Sequence, residues 1–213
     1  EQIMYSEMTA DQNKEYETVK SYFRNKILDE MDGDGASKSK MTLLQGLTKL
    51  RQIANHPKLA EPNYTSDSGK FDDVLRQLES TTAEKHKVLI FSQFVKHLGL
   101  FREYLDKKGV KYAYLDGATK SRKEQVEFFQ NNDEIQLFLI SLKAGGLGLN
   151  LTEADYVFIL DPWWNPAVEM QAMDRAHRIG QEKKVFVYKM IAKETIEEKI
   201  LELQKSKKKL VED

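Results

Sequence analysis

The stretch Lys87-Val88-Leu89-Ile90-Phe91-Ser92-Gln93-Phe94 sets the pattern from which the fold is inferred. Its first half is a short apolar run, rich in β-formers and without alternating polar positions, which is typical of a strand covered on both faces. Polar side chains follow at once, and helical periodicity begins at residues 98–108. A fully covered strand followed by a helix is the unit from which parallel sheets are built.

The same alternation continues to the end of the chain. It predicts strands at 111–115, 137–140, 156–160 and 185–191, and helices at 71–80, 121–129, 167–179 and 194–211. We therefore predict an α/β fold with a parallel sheet and flanking helices.

The N-terminal part has a different pattern. Residues 1–57 look helical and amphipathic, with a loop at 32–37, and the Pro-, Ser- and Gly-containing segment 57–69 indicates a linker. The predicted division is a helical lead-in or protrusion at 1–68 and an α/β unit with a C-terminal helix at 69–213.

Composition narrows the function classes. The chain is 40% hydrophobic and 31% charged, with 33 Lys+Arg against 34 Asp+Glu. Such near-neutrality means that any nucleic-acid contact must come from a local patch. The absence of cysteine excludes disulfides and thiolate zinc sites, and the histidines lack metal-ligand spacing, so no metal site is predicted. We expect no membrane association and no signal peptide, and the missing initial Met suggests a piece of a longer protein.

Ligands of open parallel sheets lie beyond the carboxyl ends of the strands. Four predicted strands end in polar, Gly-rich or aromatic segments, which are Ser92-Gln93-Phe94, Asp116-Gly117-Ala118-Thr119, 141–150 and 161–166. In the third, Gly145, Gly146 and Gly148 beside Lys143 would let backbone N–H groups approach a phosphate, of a nucleotide or of DNA. The glycine spacing fits neither a P-loop nor a dinucleotide fingerprint, and a plain turn is the alternative.

The helix after Pro166 carries a polar stripe. Gln171, Arg175 and Arg178 fall at i, i+4 and i+7, opposite an apolar stripe that would pack on the sheet. The alternative is an ordinary solvated face with a salt bridge from Asp174.

The string from Gln171 to Gln181 (Gln-Ala-Met-Asp-Arg-Ala-His-Arg-Ile-Gly-Gln) resembles motif VI of superfamily-two helicases in the form used by the Swi/Snf family. Other segments resemble that family in the same order. They are 50–57 (the stretch leading into this lobe), 87–94 (motif IV), 114–119, 141–151 (motif V) and 161–166. The resemblance covers nearly the whole chain.

In that family two RecA-like lobes close around ATP with Mg²⁺, and the first lobe carries the P-loop and the Asp-Glu magnesium motif. Neither occurs in this sequence. The resemblance therefore implies that 69–213 is the RecA-like C-terminal lobe, inactive without the N-terminal lobe of the same protein. Arg175 and Arg178 match arginines that reach the γ-phosphate, Gln171 would orient the helix or the nucleotide, and Asp174 would hold an arginine. Residues expected near the nucleotide are Gly146, Gly148, Asn150 and Asp174.

The resemblance also implies double-stranded DNA as a partner. Candidate DNA contacts are Ser92, Gln93, Asp116, Gly117, Ser141, Lys143, Trp163 and Trp164, of the phosphate-backbone kind that positions a duplex without reading sequence. The tryptophans have the alternatives of coupling the lobes or of capping the sheet edge. A DNA-bound protein or RNA polymerase is a candidate further partner.

Two other functions stay open from the sequence: an RNA helicase lobe, and a non-catalytic interaction module that keeps the fold. The motif VI string and the paired tryptophans argue against the first, and the intact Gln171, Arg175 and Arg178 against the second. The short segment 30–39 suggests a compact bacterial-type member, which would act on the nucleoid in the cytoplasm. A eukaryotic member would be nuclear.

Overall fold

A computed structural model of the chain describes residues 1–33, 35–141, 149–176 and 184–212, with the backbone alone at 172, 173, 175, 176 and 211. In chain order its elements are β1 (Gln2–Ser6), α1 (Ala10–Met31), α2 (Ala36–Asn55), a 3₁₀ helix (Pro57–Leu59), α3 (Gly69–Ala83), β2 (Val88–Ser92), α4 (Val95–Lys107), β3 (Ala113–Leu115), α5 (Arg122–Asn131), β4 (Leu137–Ser141), β5 (Tyr156–Ile159), α6 (Pro166–Ala176), β6 (Phe186–Ala192) and α7 (Ile196–Glu212).

The six strands form one sheet in the order β1-β6-β5-β2-β4-β3, and each neighbouring pair is parallel. The predicted α/β class with a parallel sheet and flanking helices is confirmed. From the central β2 the chain first builds β3 and β4 on one side and then crosses to β5 and β6 on the other. Sheets of this kind bind ligands outside the strand ends at such a reversal.

The alternation of side chains along β2 explains why the sheet is covered on both faces. Val88 and Ile90 pack into one core, to which α3 and α4 contribute. Leu89 and Phe91 point the other way, into a core that includes Phe129 of α5. All four of these side chains are essentially inaccessible to solvent, so both faces contribute hydrophobic stabilisation.

The N-terminal segment contains a strand that the sequence analysis placed in a helical region. Gln2–Ser6 forms β1 and pairs in parallel with β6 at the edge of the sheet. Its residues are mostly exposed or half-buried, with Tyr5 47% exposed, so it lacks the continuous apolar pattern of the central strands. Pairing with a distant strand overrides the weak local signal at this position.

Helices α1 and α2 form the predicted helical protrusion as an antiparallel hairpin. Thr9 and Gln12 make a capping box at the start of α1. The helices approach closely where Gly46 faces Phe23, because a Cβ at residue 46 would lie 2.9 Å from the Phe23 Cγ. Gln12 anchors the hairpin by donating from Nε2 to the Ile53 carbonyl (2.9 Å) and accepting from the Gly69 N–H (3.0 Å).

Candidate functional site

The carboxylate of Asp161, two residues after β5, joins three parts of the chain at the carboxyl ends of the strands. It is fully buried and accepts hydrogen bonds from Ser92 Oγ (2.5 Å), the Gln93 backbone N–H (3.0 Å) and Asn55 Nδ2 (3.3 Å). A buried carboxylate is tolerated only when such donors replace water. Asp161 therefore fixes the end of β2 and the end of α2 against β5.

The ionisation of Asp161 follows from its surroundings. Burial acts to raise its pKa, but His97 and the hydrogen bonds from Ser92 and Gln93 outweigh burial, and the pKa is lowered. Burial lowers the pKa of His97, whose Nδ1 lies 3.9 Å from the Asp161 Oδ1, too far for a hydrogen bond. Neither His97 nitrogen has a hydrogen-bond partner among the described residues. Burial thus disfavours the charged form of both groups, and the hydrogen bonds from Ser92 and Gln93 favour the carboxylate.

A second buried charged group lies next to this one. Lys70 Nζ donates to Glu197 Oε2 (2.7 Å), to Asn55 Oδ1 (2.8 Å) and to the Leu160 carbonyl (2.7 Å). The side chains of Lys70 and Glu197 are 0% and 1% exposed. Asn55 thus bridges this ion pair to Asp161, and α2, α3 and α7 converge behind the strand ends. The sequence analysis did not single out any of these three residues.

The predicted contacts at the ends of β2 and β4 differ in accessibility. Ser92 and Ser141 are register partners and both are fully buried. Because both side chains are buried, neither hydroxyl reaches a phosphate without rearrangement of the strand ends. The Ser92 hydroxyl donates to Asp161, whereas the Ser141 hydroxyl has no hydrogen-bond partner among the described residues. Gln93 is half-buried, and its Nε2 donates to the Pro162 carbonyl (3.1 Å).

The loop after β3 is ordered by its own aspartate. Asp116 Oδ1 accepts from the Ala118 N–H (2.8 Å), and Oδ2 accepts from the Tyr114 hydroxyl (2.6 Å). The hydrogen bond from Tyr114 is the main reason that the pKa of Asp116 is lowered, and burial together with Asp116 raises the pKa of Tyr114 to about 12. Gly117 is left exposed, with open space where a side chain would project. The loop therefore presents its backbone to solvent at the same edge of the sheet as Gln93.

The two tryptophans occupy different environments. Trp163 packs against the core, and its indole Nε1 is buried without a partner among the described side chains. This position agrees with the sheet-capping alternative for Trp163, whose DNA contact stays a prediction. Trp164 is half-buried and lies near Arg51, with the guanidinium carbon 5.9 Å from its ring centroid.

Helix α6 starts at Pro166, where the Asn165 Oδ1 accepts from the Ala167 N–H (3.1 Å). Gln171 and Asp174 are both exposed on this helix, as is Asn150 in the segment after the Gly-rich loop. Arg175 lies within α6 by its backbone. The other predicted residues of this group lie outside the described residues, namely Lys143, Gly146, Gly148 and Arg178.

A buried carboxylate anchors the first turn of α6. Glu169 accepts from the Trp163 backbone N–H (2.9 Å) and from Gln204 Nε2 (2.6 Å), and its Oε2 lies 2.5 Å from Lys189 Nζ. Burial acts to lower the pKa of Lys189, but Glu169 and Glu1 outweigh it and the pKa is raised. This network ties α6 to β6 and α7, and the sequence analysis missed it as well.

The described part of the chain contains no group of three or more His, Asp or Glu side chains arranged to hold a metal ion. None of the described helices is long and apolar enough to cross a membrane.

Comparison with known proteins gives the family. The model described as helicase conserved C-terminal domain matches residues 69–180, more than half of the 213 residues. The chromatin-remodeling ATPase INO80 of Candida albicans is 46% identical over 149 residues, which are 69% of this chain and 11% of that protein.

Two solved structures from Sulfolobus solfataricus share the fold. The SWI2/SNF2 ATPase C-terminal domain aligns with a TM-score of 0.80 and 33% identity, over 97% of this chain and 85% of that one. The SWI2/SNF2 ATPase core in complex with dsDNA aligns with a TM-score of 0.83 and 33% identity, over 98% of this chain and 44% of that one. The RecA-like assignment and the Swi/Snf resemblance are thereby confirmed. This chain belongs to the helicase C-terminal domain family, in the branch formed by the C-terminal lobes of Snf2-family ATPases.

Proposed function

We propose that this chain is the second lobe of an ATP-dependent translocase or remodeller of double-stranded DNA. The observation that carries the proposal is the Asp161 carboxylate, which fixes the end of β2 beside the loop that leads into α6. The candidate DNA-contacting loops and the helix with the candidate nucleotide-contacting side chains are thus held to one another. The similarity to an ATPase core solved with dsDNA supports the choice of duplex DNA.

At the nucleotide, Arg175 and Arg178 would act as fingers on the γ-phosphate across the cleft from the first lobe. A guanidinium offers a planar pair of donors to phosphate oxygens and offsets the charge that develops during transfer. The exposed Gln171 would orient the nucleotide or the helix, and the exposed Asp174 would hold an arginine. Gly146, Gly148 and Asn150 would line the phosphate side.

ATP would bring Mg²⁺ with it. The first lobe, which carries the P-loop and the Asp-Glu magnesium motif in the Swi/Snf family, would hold that ion. The isolated chain is accordingly expected not to hydrolyse ATP.

At the DNA, the accessible candidate contacts among the described residues are the exposed Gly117 backbone and the half-buried Gln93, Asp116 and Trp164. Lys143 would supply a positive charge. Ser92 and Ser141 are buried, so we assign them a supporting role. Since the net charge is −1, binding would rest on this local set of contacts. The site of action would be the nucleus or the nucleoid, with a DNA-bound protein, RNA polymerase among the candidates, as the displaced partner.

The test is ATP hydrolysis by this lobe joined to its P-loop lobe, with and without duplex DNA. We expect strong stimulation by the duplex, and for Arg178→Ala a loss of roughly 10³–10⁵ in kcat with nucleotide binding retained. Lys199→Ala, at an exposed position on α7, is the matched control and should behave like the parent. Hydrolysis indifferent to Arg178→Ala would remove the finger assignment.

Substituting single-stranded or duplex RNA for DNA separates the enzyme classes. Stimulation by RNA alone would identify an RNA helicase lobe. No hydrolysis under any condition, with DNA or a protein still bound, would identify the interaction module.

A further inference from the structure

Arg51, four residues before the end of α2, lies where three segments of the chain meet. It is 9% exposed, and its Nη2 donates to the Pro162 carbonyl (3.3 Å). Its guanidinium carbon lies 5.2 Å from the Phe94 ring centroid and 5.9 Å from that of Trp164. Both distances fall within the range of cation–π attraction.

The Pro162 carbonyl is a shared acceptor. Gln93 Nε2 donates to it at 3.1 Å, so the residue after β2 and the end of the hairpin converge on one atom. Four residues further along α2, Asn55 donates to Asp161. The helical hairpin therefore holds both Asp161 and Pro162, the first two residues of the segment that runs into α6.

Hydrogen bonds also hold the rest of that segment, up to the start of α6. The Trp163 N–H is bonded to Glu169 in the first turn, and the Lys207 Nζ donates to the Trp164 carbonyl (3.1 Å). Each residue from 161 to 164 thus makes a hydrogen bond to another part of the fold. A displacement of Pro162 would therefore also displace the start of α6.

We infer that Arg51 is a positioning residue, which locks the tryptophan segment 162–164 between the hairpin and the end of β2 and so sets the position of α6. The inference rests on the proposed function for its effect on hydrolysis, because α6 carries Gln171, Asp174 and Arg175. It gives the hairpin a role in the lobe: the position of α1 and α2 is transmitted through the Arg51 guanidinium, together with Asn55, to the helix that would contact the nucleotide.

The first experiment uses the 213-residue chain, in which Trp163 and Trp164 are the two tryptophans. Removing the guanidinium in Arg51→Ala uncovers the Trp164 ring, so we expect acrylamide quenching of tryptophan emission to rise about twofold. The increase should vanish in the Trp164→Phe background. Lys49→Ala, at an exposed position of the same helix, is the control and should leave quenching unchanged.

Arg51→Lys separates the contribution of the positive charge from that of the planar guanidinium group. Lysine keeps the positive charge but lacks the planar fork that stacks and donates together, so we expect it to resemble Arg51→Ala. Full rescue of native quenching by lysine would overturn the positioning role. Arg51→Met, which keeps the aliphatic stem, serves if the alanine variant fails to fold.

The second experiment measures hydrolysis by the two-lobe protein. A small misplacement of α6 should lower the DNA-stimulated kcat about 10-fold while the Kd for ATP stays within twofold. Native kcat in Arg51→Ala despite increased quenching would refute the link to α6. If Arg178→Ala has no effect while the quenching change is present, the finger assignment falls and the structural role of Arg51 stands.

Discussion

Replacing Gly69 with alanine puts a methyl group into space already occupied by backbone. A Cβ at residue 69 would lie 1.8 Å from the Glu7 carbonyl oxygen and 2.9 Å from its carbonyl carbon. Since Cβ contacts under 3.0 Å essentially do not occur, the carbonyl would have to retreat by at least 1.2 Å (3.0 minus 1.8). The connection between β1 and α1 would have to move with it.

The magnitude follows from what that movement breaks. Overpacking of this kind costs about 1–3 kcal/mol. The displaced connection also strains the bond from the Gly69 N–H to Gln12 and the capping box at Thr9, each worth about 1 kcal/mol. We expect Gly69→Ala to lower the free energy of unfolding by about 3–5 kcal/mol. With a slope of about 2 kcal/mol per molar urea for a domain of this size, the midpoint falls by about 1.5–2.5 M.

Urea unfolding of the 213-residue chain, followed by circular dichroism, measures this change. Gly99→Ala is the matched control, because Gly99 lies within α4 and has open space at its Cβ position. The same substitution there should raise the midpoint, since alanine favours a helix over glycine by about 1 kcal/mol. Equal midpoints for the Gly69 variant and the parent would refute the close approach of Glu7 to α3.

Three further substitutions test buried groups. Lys70→Met leaves Glu197 buried without its partner and should cost about 3–5 kcal/mol of unfolding free energy, part of which the additional Glu197→Leu change should restore; equal urea midpoints for the single and double variants would contradict a buried pair. Burial lowers the pKa of His56 to about 4 from 6.5, so the unfolded chain takes up the proton first as the pH falls between those values. The neutral ring's contribution to the free energy of unfolding should therefore fall by about 2 kcal/mol over this pH interval. This figure already allows for the part of the ring that lies near solvent. His56→Asn, which can still cap the Lys58 N–H, should flatten that part of the pH profile of the urea midpoint, and an unchanged profile would assign the slope to other groups. Gly46→Ala forces the new methyl against Phe23 and should lower the thermal midpoint by about 2–4 °C in calorimetry, whereas an unchanged midpoint would show that the ring yields freely.

The central strands were predictable because their signal is local. Leu89–Phe91 and Leu137–Ile140 are continuous apolar runs, and only a strand with both faces covered makes use of such a run. The edge strand Gln2–Ser6 was not predictable. Its exposed face leaves no apolar pattern in the sequence, and its pairing with β6 joins residues that are far apart in the chain. The sequence therefore predicts the middle of this sheet better than its margin.

For the site, the polar residues at the strand ends were visible in the sequence and their roles stay predictions, whereas the buried residues that support those strand ends were missed. The sequence nevertheless contains a pattern that indicates these buried supporting residues. Lys70 stands on the same buried stripe of α3 as Val74 and Leu78, and Glu197 on that of α7 with Ile200 and Leu201. Opposite charges placed on two core-facing helix stripes indicate a buried pair. The partner of each residue cannot be deduced in this way, because Lys70 and Glu197 are brought together only by the folded sheet.

The pairing of β1 with β6 has a consequence for how the molecule is made. Gln2 is opposite Tyr188 in this ladder, so β1 has no partner in the sheet until β6, far along the chain, has been synthesised. Until then its hydrogen-bonding edge stays unpaired. Contacts between such distant residues slow folding, since the two strands must find each other before the ladder stabilises them. The sheet of this lobe would therefore be completed only after β6 has been made, and the unpaired β1 segment is the place where a chaperone or a neighbouring copy would compete with β6.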